Sequence, residues 1–188
     1  MSNNDEEPPK TRNNDEEPPK KILLMGLDNS GKTSIVLSLQ KDTNLLSYYS
    51  LKPTQGIEII NLTSDGKKFA IWDLGGQEKY RTEYLENLER YTRGVDKMIF
   101  VIDIQDDNRY DLALDYLKKV IEYLESKNWT PKVSIFLHKM DPQIEKEKKI
   151  PMEKLSELTK KILAIVSDKF NPDIFKTTIY TIFQKTII

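Results

Sequence analysis

The sequence has 188 residues, a formal net charge of −1, 38% hydrophobic residues and 31% charged residues. This length suits one domain with a sizeable core, and the balance of apolar and charged residues is typical of a globular protein. Because the net charge shows no basic excess, nucleic acid is not an expected partner.

The absence of cysteine excludes several classes of site and modification. Disulfides, thiolate metal sites, cysteine catalysis and prenyl or palmitoyl anchors all require a cysteine. No apolar run reaches the ~18 residues of a membrane-spanning helix. The polar start does not fit a signal peptide, and Met1-Ser2 does not fit a myristoylation pattern. We therefore expect a cytoplasmic protein without a direct lipid anchor, which would meet membranes only through partners.

The first nineteen residues differ in composition from the rest of the sequence. The segment NNDEEPPK occupies residues 3–10 and recurs unchanged at residues 13–20. It is acidic, contains proline pairs and has no apolar face, so residues 1–19 are expected to form an extended, mobile tail. An acidic docking motif is the alternative interpretation. A single globular domain is predicted for residues 20–188.

Apolar runs and helical spacings alternate along this domain. Strands are predicted at residues 20–25, 56–63, 67–74, 95–103, 132–140 and 174–180, and helices at residues 33–41, 108–127 and 151–168. The second helix carries an apolar face formed by Leu114, Leu117, Ile121 and Leu124. The third carries a stripe formed by Leu155, Thr159, Ile162 and Val166.

The order of these elements predicts the fold class. Strands that alternate with helices favour a mostly parallel sheet with helices on both faces. The turn Ser64-Asp65-Gly66 joins the second and third strands as a hairpin. The prediction is therefore an α/β fold with a six-stranded sheet and one antiparallel edge strand.

The stretch GLDNSGKTS, residues 26–34, lies between the first predicted strand and the first helix. It fits the pattern G-x-x-x-x-G-K-[ST], in which glycines allow backbone N–H groups to converge on phosphates. Lys32 can reach the β- and γ-phosphates, and the Thr33 hydroxyl can bind Mg²⁺. A chance glycine-rich turn is the alternative, and the strand–helix context argues against it. The predicted nucleotide-binding residues of this loop are Asp28, Asn29, Ser30, Gly31, Lys32, Thr33 and Ser34.

A second candidate segment, WDLGGQE, ends the third strand at residues 72–78. The carboxylate of Asp73 is placed to bind Mg²⁺, the N–H of Gly76 can approach a γ-phosphate, and Gln77 can orient an attacking water. The alternative is a strand followed by a plain Gly-Gly turn, and the upstream phosphate loop favours the functional interpretation. In KPTQG, residues 52–56, Thr54 would complete a magnesium site with Thr33 and Asp73 when a triphosphate orders that loop.

These motifs together resemble those of a Ras-superfamily small GTPase over residues 20–180. GLDNSGKTS, WDLGGQE and FVIDIQDDNR (residues 100–109) resemble the Arf family. HKMD (residues 138–141) and FKTTIY (residues 175–180) resemble the Rag and Gtr proteins, which have His where most relatives have Asn. An archaeal relative of both families is one interpretation of this combination. The resemblance implies a P-loop NTPase G domain.

The sequence departs from both families at its ends. A polar repeat stands where Arf proteins have a myristoylated amphipathic helix, so their membrane switch is not expected. Only eight residues follow Tyr180 (188 − 180), so the last helix is expected to be short or truncated. The second domain of Rag proteins has no counterpart among these residues.

The resemblance implies that HKMD and the segment TTI, residues 177–179, recognise a guanine base. The carboxylate of Asp141 would accept from N1–H and from the exocyclic amine, a pair of donors that adenine lacks. Lys139 would lie along the base plane, and His138 would donate toward N7 in place of Asn. At the end of the last strand, next to Thr178, the backbone N–H of Ile179 would meet O6. The alternative is a buried strand-end histidine beside a solvated lysine.

The sequence predicts a GTPase switch that binds GTP or GDP with Mg²⁺ and hydrolyses GTP slowly, with Gln77 as the catalytic residue. Switch I is predicted at about residues 42–56 and switch II at about 74–93. Arg81, Arg90 and Arg93 are expected to be solvated, so a GTPase-activating protein would supply a catalytic arginine.

Exchange factors, GTPase-activating proteins and effectors are the expected partners of the switch regions, and a dimer with itself or a related GTPase stays open. The alternatives are a nucleotide-locked interaction module with negligible turnover and an ATP-using P-loop kinase.

Overall fold

The computed structural model describes residues 17–40, 43–147, 149–166 and 168–179. Residues 17–19 precede the first strand without regular secondary structure. Residues 1–16 of the predicted tail, residue 42 of switch I and the predicted last helix after Tyr180 lie outside the described residues.

Six strands and seven helices follow one another in the described residues. In chain order they are β1 (Lys20–Gly26), α1 (Lys32–Ser38), α2 (Leu45–Tyr49), β2 (Ile57–Ser64), β3 (Lys67–Leu74), α3 (Glu78–Glu86), α4 (Leu88–Thr92), β4 (Lys97–Asp103), α5 (Tyr110–Ser126), β5 (Lys132–His138), α6 (Pro142–Lys146), α7 (Met152–Ile165) and β6 (Asp173–Lys176). A 3₁₀ turn, Asp107–Arg109, connects β4 to α5.

The six strands form one sheet in the order β2-β3-β1-β4-β5-β6. β1 pairs in parallel with both β3 and β4, β4 with β5, and β5 with β6. β2 lies at the edge and pairs antiparallel with β3. The predicted six-stranded sheet with one antiparallel edge strand is confirmed.

The β2–β3 hairpin turns at Asp65 and Gly66, which have φ angles of 50° and 72°. Two successive positive φ angles are typical of the tight turn whose twist matches that of the flanking strands, and glycine adopts them at low cost. Ser64 pairs with Lys67, so the hairpin loop is one residue shorter than predicted.

Helices cover both faces of the sheet, but the two cores differ in size. The larger core lies between the sheet and α3, α4, α5 and α7. All four predicted apolar residues of α5 are buried there, as are Leu155, Ile162 and Val166 at α7. Leu158 is buried instead of the predicted Thr159, which is half-buried. On the opposite face, Val36 of α1 packs on a smaller cluster of strand residues.

No helix among the described residues combines the length and the apolar composition needed to cross a membrane.

Candidate functional site

The loop between β1 and α1 passes closely over β4. Gly26 has a φ of 143°, and a Cβ added there would lie 2.3 Å from the carbonyl oxygen of Val101. Asn29 adopts a left-handed conformation with a φ of 58°. Only glycine fits at position 26, so the loop closes tightly enough for its backbone to curl around a small anion.

Lys32 begins α1 and is 5% exposed. Its ammonium donates to the carbonyl oxygens of Gly26 at 3.1 Å and Leu27 at 2.8 Å. The pKa of Lys32 is lowered to about 8, chiefly by burial and with a smaller contribution from the charge of Arg81, while the charges of Asp73 and Asp28 oppose the shift. A phosphate beside this ammonium would favour its charged form.

Three oxygen-bearing side chains from separate segments meet beside the loop. The Thr33 hydroxyl donates to Asp73 Oδ2 at 2.6 Å, and the Thr54 hydroxyl lies 2.8 Å from that of Thr33. Thr54 also donates to Asp73 Oδ2 at 3.2 Å. The three predicted magnesium ligands are therefore brought together by α1, β3 and the loop before β2.

Asp73 is fully buried, and its Oδ1 has no hydrogen-bond partner among the described residues. Burial raises the pKa of this carboxyl, although hydrogen bonds from Thr33 and Thr54 and the charge of Lys32 oppose the shift. One carboxylate and two hydroxyls form a set of hard oxygen donors that suits Mg²⁺. Elsewhere in the described chain, no group of three or more His, Cys, Asp or Glu side chains forms a candidate metal site.

A cavity of about 280 Å³ lies next to these oxygens and contains most of the predicted phosphate-binding residues. It is lined by Asp28, Asn29, Gly31, Lys32, Thr33, Ser34, Leu51, Lys52, Pro53, Thr54, Gly75, Gly76 and Gln77. Ser30 is not among its lining residues; it is buried, and its hydroxyl has no hydrogen-bond partner within the described part of the chain.

Gly76 and Gln77 reach the cavity because the segment after β3, the predicted switch II, packs directly on the loop between β1 and α1. The N–H of Asp28 donates to the carbonyl oxygen of Gly76 at 3.0 Å. A Cβ added to Gly76 would lie 2.2 Å from that nitrogen, so no side chain is tolerated there. Gln77 follows as the residue that precedes α3.

His138 ends β5 and is 3% exposed. Its Nδ1 lies 2.9 Å from the Thr177 hydroxyl, and its ring packs on Gly31, where an added Cβ would lie 2.5 Å from the ring Cδ2. Burial lowers the pKa of His138, and the charge of Lys139 adds to this shift, while Asp103 and Asp141 oppose it. The neutral imidazole of His138 therefore connects the HKMD segment to the phosphate loop.

The remaining residues of HKMD form a network at the ends of β4, β5 and β6. Lys139 makes a 2.7 Å ion pair with the buried Asp103. One carboxylate oxygen of Asp141 accepts from the Thr178 hydroxyl at 2.5 Å, and the other accepts from Gln105 Nε2 at 3.3 Å. The carboxylate therefore has a fixed orientation, while Ile179 lies half-buried beside this network.

The expectation that Arg81 is solvated is wrong. Arg81 is 9% exposed, and its guanidinium carbon lies 5.8 Å from the ring centre of Tyr116. Its Nε has no hydrogen-bond partner in the described residues. The reason is that α3 turns Arg81 and Tyr84 toward the core. Arg90 and Arg93 are exposed, as expected.

Sequence reasoning missed three residues of the site, namely Asp103, Gln105 and Arg109. Asp103 stands opposite His138 in the β4–β5 register, so its position was predictable from the rule that polar residues gather at the carboxyl ends of parallel strands. Gln105 donates to the carbonyl oxygen of Lys139 at 2.9 Å. Arg109 contacts the phosphate loop from a distant segment, and no local pattern indicated this contact.

Comparison with known proteins places this geometry in a family. The chain resembles the solved structure of the small GTPase Arl6 (BBS3) from Trypanosoma brucei with a bound nucleotide analogue, GppNp. The TM-score is 0.65 at 20% identity, over 86% of this chain and 87% of the other, which establishes a shared fold. Residues 21–185 match the Gtr1/RagA G protein conserved region. The chain therefore belongs to the Gtr1/RagA family of G proteins.

Proposed function

We propose that this protein is a molecular switch that binds GTP and GDP with Mg²⁺ and hydrolyses GTP slowly. The observation that carries the proposal is the meeting of Thr54 with Thr33 and Asp73 beside the phosphate loop. Each residue comes from a different segment, and Thr54 lies in predicted switch I. A nucleotide with its metal ion would therefore hold switch I against the rest of the site.

The metal site is assigned to Thr33, Thr54 and Asp73. The unpartnered Oδ1 of the buried Asp73 is an acceptor that a metal-bound water would satisfy. When bound, Mg²⁺ would neutralise negative charge on the nucleotide phosphates. The two hydroxyls would contribute oxygen ligands, and Lys32 would add a cation at the same phosphates.

Gly76 and Gln77 are assigned to the γ-phosphate end of the site. The N–H of Gly76 would donate to a γ-phosphate oxygen, and the Gln77 amide would orient the attacking water. Arg81 is packed against Tyr116, so we assign no catalytic arginine to switch II. Hydrolysis is therefore expected to be slow until a partner supplies one.

Two hydrogen bonds tie the switches to each other. Gly75 N–H donates to the carbonyl oxygen of Gly56 at 2.8 Å, and the Tyr84 hydroxyl donates to the same oxygen at 2.7 Å. Loss of the γ-phosphate would release Thr54 and Gly76 together. We propose that partners recognise this joint change in residues 42–56 and 74–93.

The hydrogen bonds around Asp141, at the carboxyl ends of β4, β5 and β6, support guanine as the ligand. Asp141 is oriented by Gln105 and Thr178, and both of its oxygens lie among donors that a guanine edge would replace. Adenine would leave this carboxylate facing an acceptor instead of two donors.

Single-turnover hydrolysis of preloaded GTP tests the assignment of Gln77. We expect Gln77→Leu to lower the rate at least about tenfold while nucleotide affinity is retained, because leucine can neither accept from nor donate to water. Gln40→Leu, which changes an exposed glutamine after α1, is the matched control and should hydrolyse at the wild-type rate.

Two outcomes would contradict the proposal. Equal and negligible rates in the wild type and Gln77→Leu would indicate a nucleotide-locked interaction module. Adenine nucleotide extracted from the purified protein would overturn the guanine assignment.

A further inference from the structure

An arginine that was not among the predicted site residues contacts the phosphate loop. Arg109 ends the 3₁₀ turn before α5, and its Nη1 lies 3.0 Å from Asp28 Oδ1. Its Nη2 donates to the backbone carbonyl oxygen of Asp28 at 3.3 Å. One guanidinium therefore holds both the side chain and the main chain of this loop residue.

The position of Arg109 is itself fixed. Its Nε donates to Asp106 Oδ2 at 2.5 Å, and its Nη2 pairs with the same carboxylate. Asp106 raises the pKa of Arg109 through this hydrogen bond, and Asp28 adds to the shift. The planar guanidinium can bind two carboxylates at once with defined geometry, which a lysine cannot reproduce.

Asp28 places a negative charge in the cavity that is proposed to bind the negatively charged phosphates. It lines the same cavity as Lys32, Gly76 and Gln77, and its side chain is 44% exposed. Its charge is close enough to raise the pKa of Lys32 against the effect of burial. A carboxylate free to turn into the cavity would repel phosphates and compete with them for Lys32.

The repulsion would not be equal for the two nucleotides. Asp28 contacts Gly76, the residue assigned to the γ-phosphate, through its backbone N–H. The end of the cavity nearest Asp28 is therefore the end that a triphosphate fills and a diphosphate leaves free. GTP would also carry more negative charge to that end than GDP.

We infer that Arg109 is a positioning residue that neutralises Asp28 and holds its carboxylate away from the γ-phosphate, and so favours GTP over GDP. This inference rests on the proposed function, because it concerns the nucleotide that the site selects.

The test measures the Kd of fluorescent GppNHp and of fluorescent GDP, each with Mg²⁺, on the full chain. We expect Arg109→Ala to weaken GppNHp binding about tenfold and GDP binding about threefold or less, as suits a partly screened charge near the phosphates. The double variant Asp28→Asn with Arg109→Ala should return both values to within about twofold of wild type, because the Asp28 carboxylate that Arg109 neutralises in the cavity is then absent.

A further variant serves as a control, and another is a second test. Lys118→Ala removes a cation from the exposed face of α5, where it pairs with Glu122 at 3.8 Å, and should leave both affinities unchanged. Asp28→Asn alone should bind GppNHp more tightly than the wild type, because it removes the negative charge that repels the γ-phosphate. It keeps the inference testable even when Arg109→Ala does not fold.

Each other result overturns the inference. Equal losses for both nucleotides without rescue by Asp28→Asn would make Arg109 a structural residue. Slower hydrolysis at unchanged affinities would assign it to the chemical step. If the wild type binds GppNHp and GDP and Arg109→Ala binds both with the same Kd, this inference is overturned and the proposed function is not. A wild type that binds no guanine nucleotide would overturn the proposed function as well.

Discussion

His138 and Asp141 stand three positions apart and have different surroundings. His138 is buried against Gly31, whereas Asp141 lies at the edge of a network that faces solvent. The motif HKMD located both residues from the sequence, because spacing at the end of a strand is a local property. The packing of the imidazole on the phosphate loop was not predictable, because it depends on how two distant segments meet.

Replacing Asp141 tests the base assignment. We expect Asp141→Asn to weaken GDP binding by at least about tenfold and to improve binding of xanthosine diphosphate, because the amide can donate to the additional carbonyl of xanthine. Competition between the two nucleotides for the purified variant measures this preference.

Two variants control for general damage to the site around His138 and Asp141. His138→Asn should keep the preference for guanine, since the asparagine amide can also donate toward N7 of the base. Asp115→Asn removes a carboxylate on α5 that pairs with Lys119 at 2.7 Å and should change nothing. Unchanged preference in Asp141→Asn would show that the base lies elsewhere.

At the scale of elements, the strands and helices α1, α5 and α7 followed from hydrophobic patterning, whereas α2, α3, α4 and α6 did not. α2, α4 and α6 each span five residues, too few for a periodic signal or for stability without tertiary contacts. α2 begins because Asn44 accepts from the N–H of Ser47 at 3.1 Å, within a segment expected to be a loop. α3 gave no apolar stripe, because it buries Arg81 and Tyr84 rather than aliphatic residues.

The buried face of α5 should dominate the stability of the larger core. Leu117 is fully buried on this face, whereas Leu112 of the same helix is 43% exposed. We expect Leu117→Ala to lower the free energy of unfolding by roughly 2–5 kcal/mol, and Leu112→Ala by less than about 1 kcal/mol. Urea unfolding of the nucleotide-free proteins measures both, and similar losses would contradict the assigned packing.

At the scale of the whole molecule, the proposed nucleotide binding would raise the stability of the folded chain. A ligand present at a hundred times its Kd stabilises the folded state by about 2.7 kcal/mol, which for a chain of this size raises Tm by about 5–10 °C. We expect GDP with Mg²⁺ to give such a shift in a thermal unfolding assay. Chelation of the metal should reduce it.

ATP at the same concentration and the variant Lys32→Ala with GDP are the controls for that measurement. Neither should raise Tm, since the first lacks the donors for Asp141 and the second lacks the phosphate-loop ammonium. An equal shift with ATP would contradict recognition of the base.

The contact between His138 and Gly31 has a consequence for how a nucleotide leaves. The two residues belong to opposite ends of the site, yet the imidazole and the loop backbone share one wall. We therefore expect binding of the base and binding of the phosphates to depend on each other. Under the proposed function, a partner protein that displaces either segment would loosen both ends of the site, so displacement at this one contact would be enough to release the nucleotide.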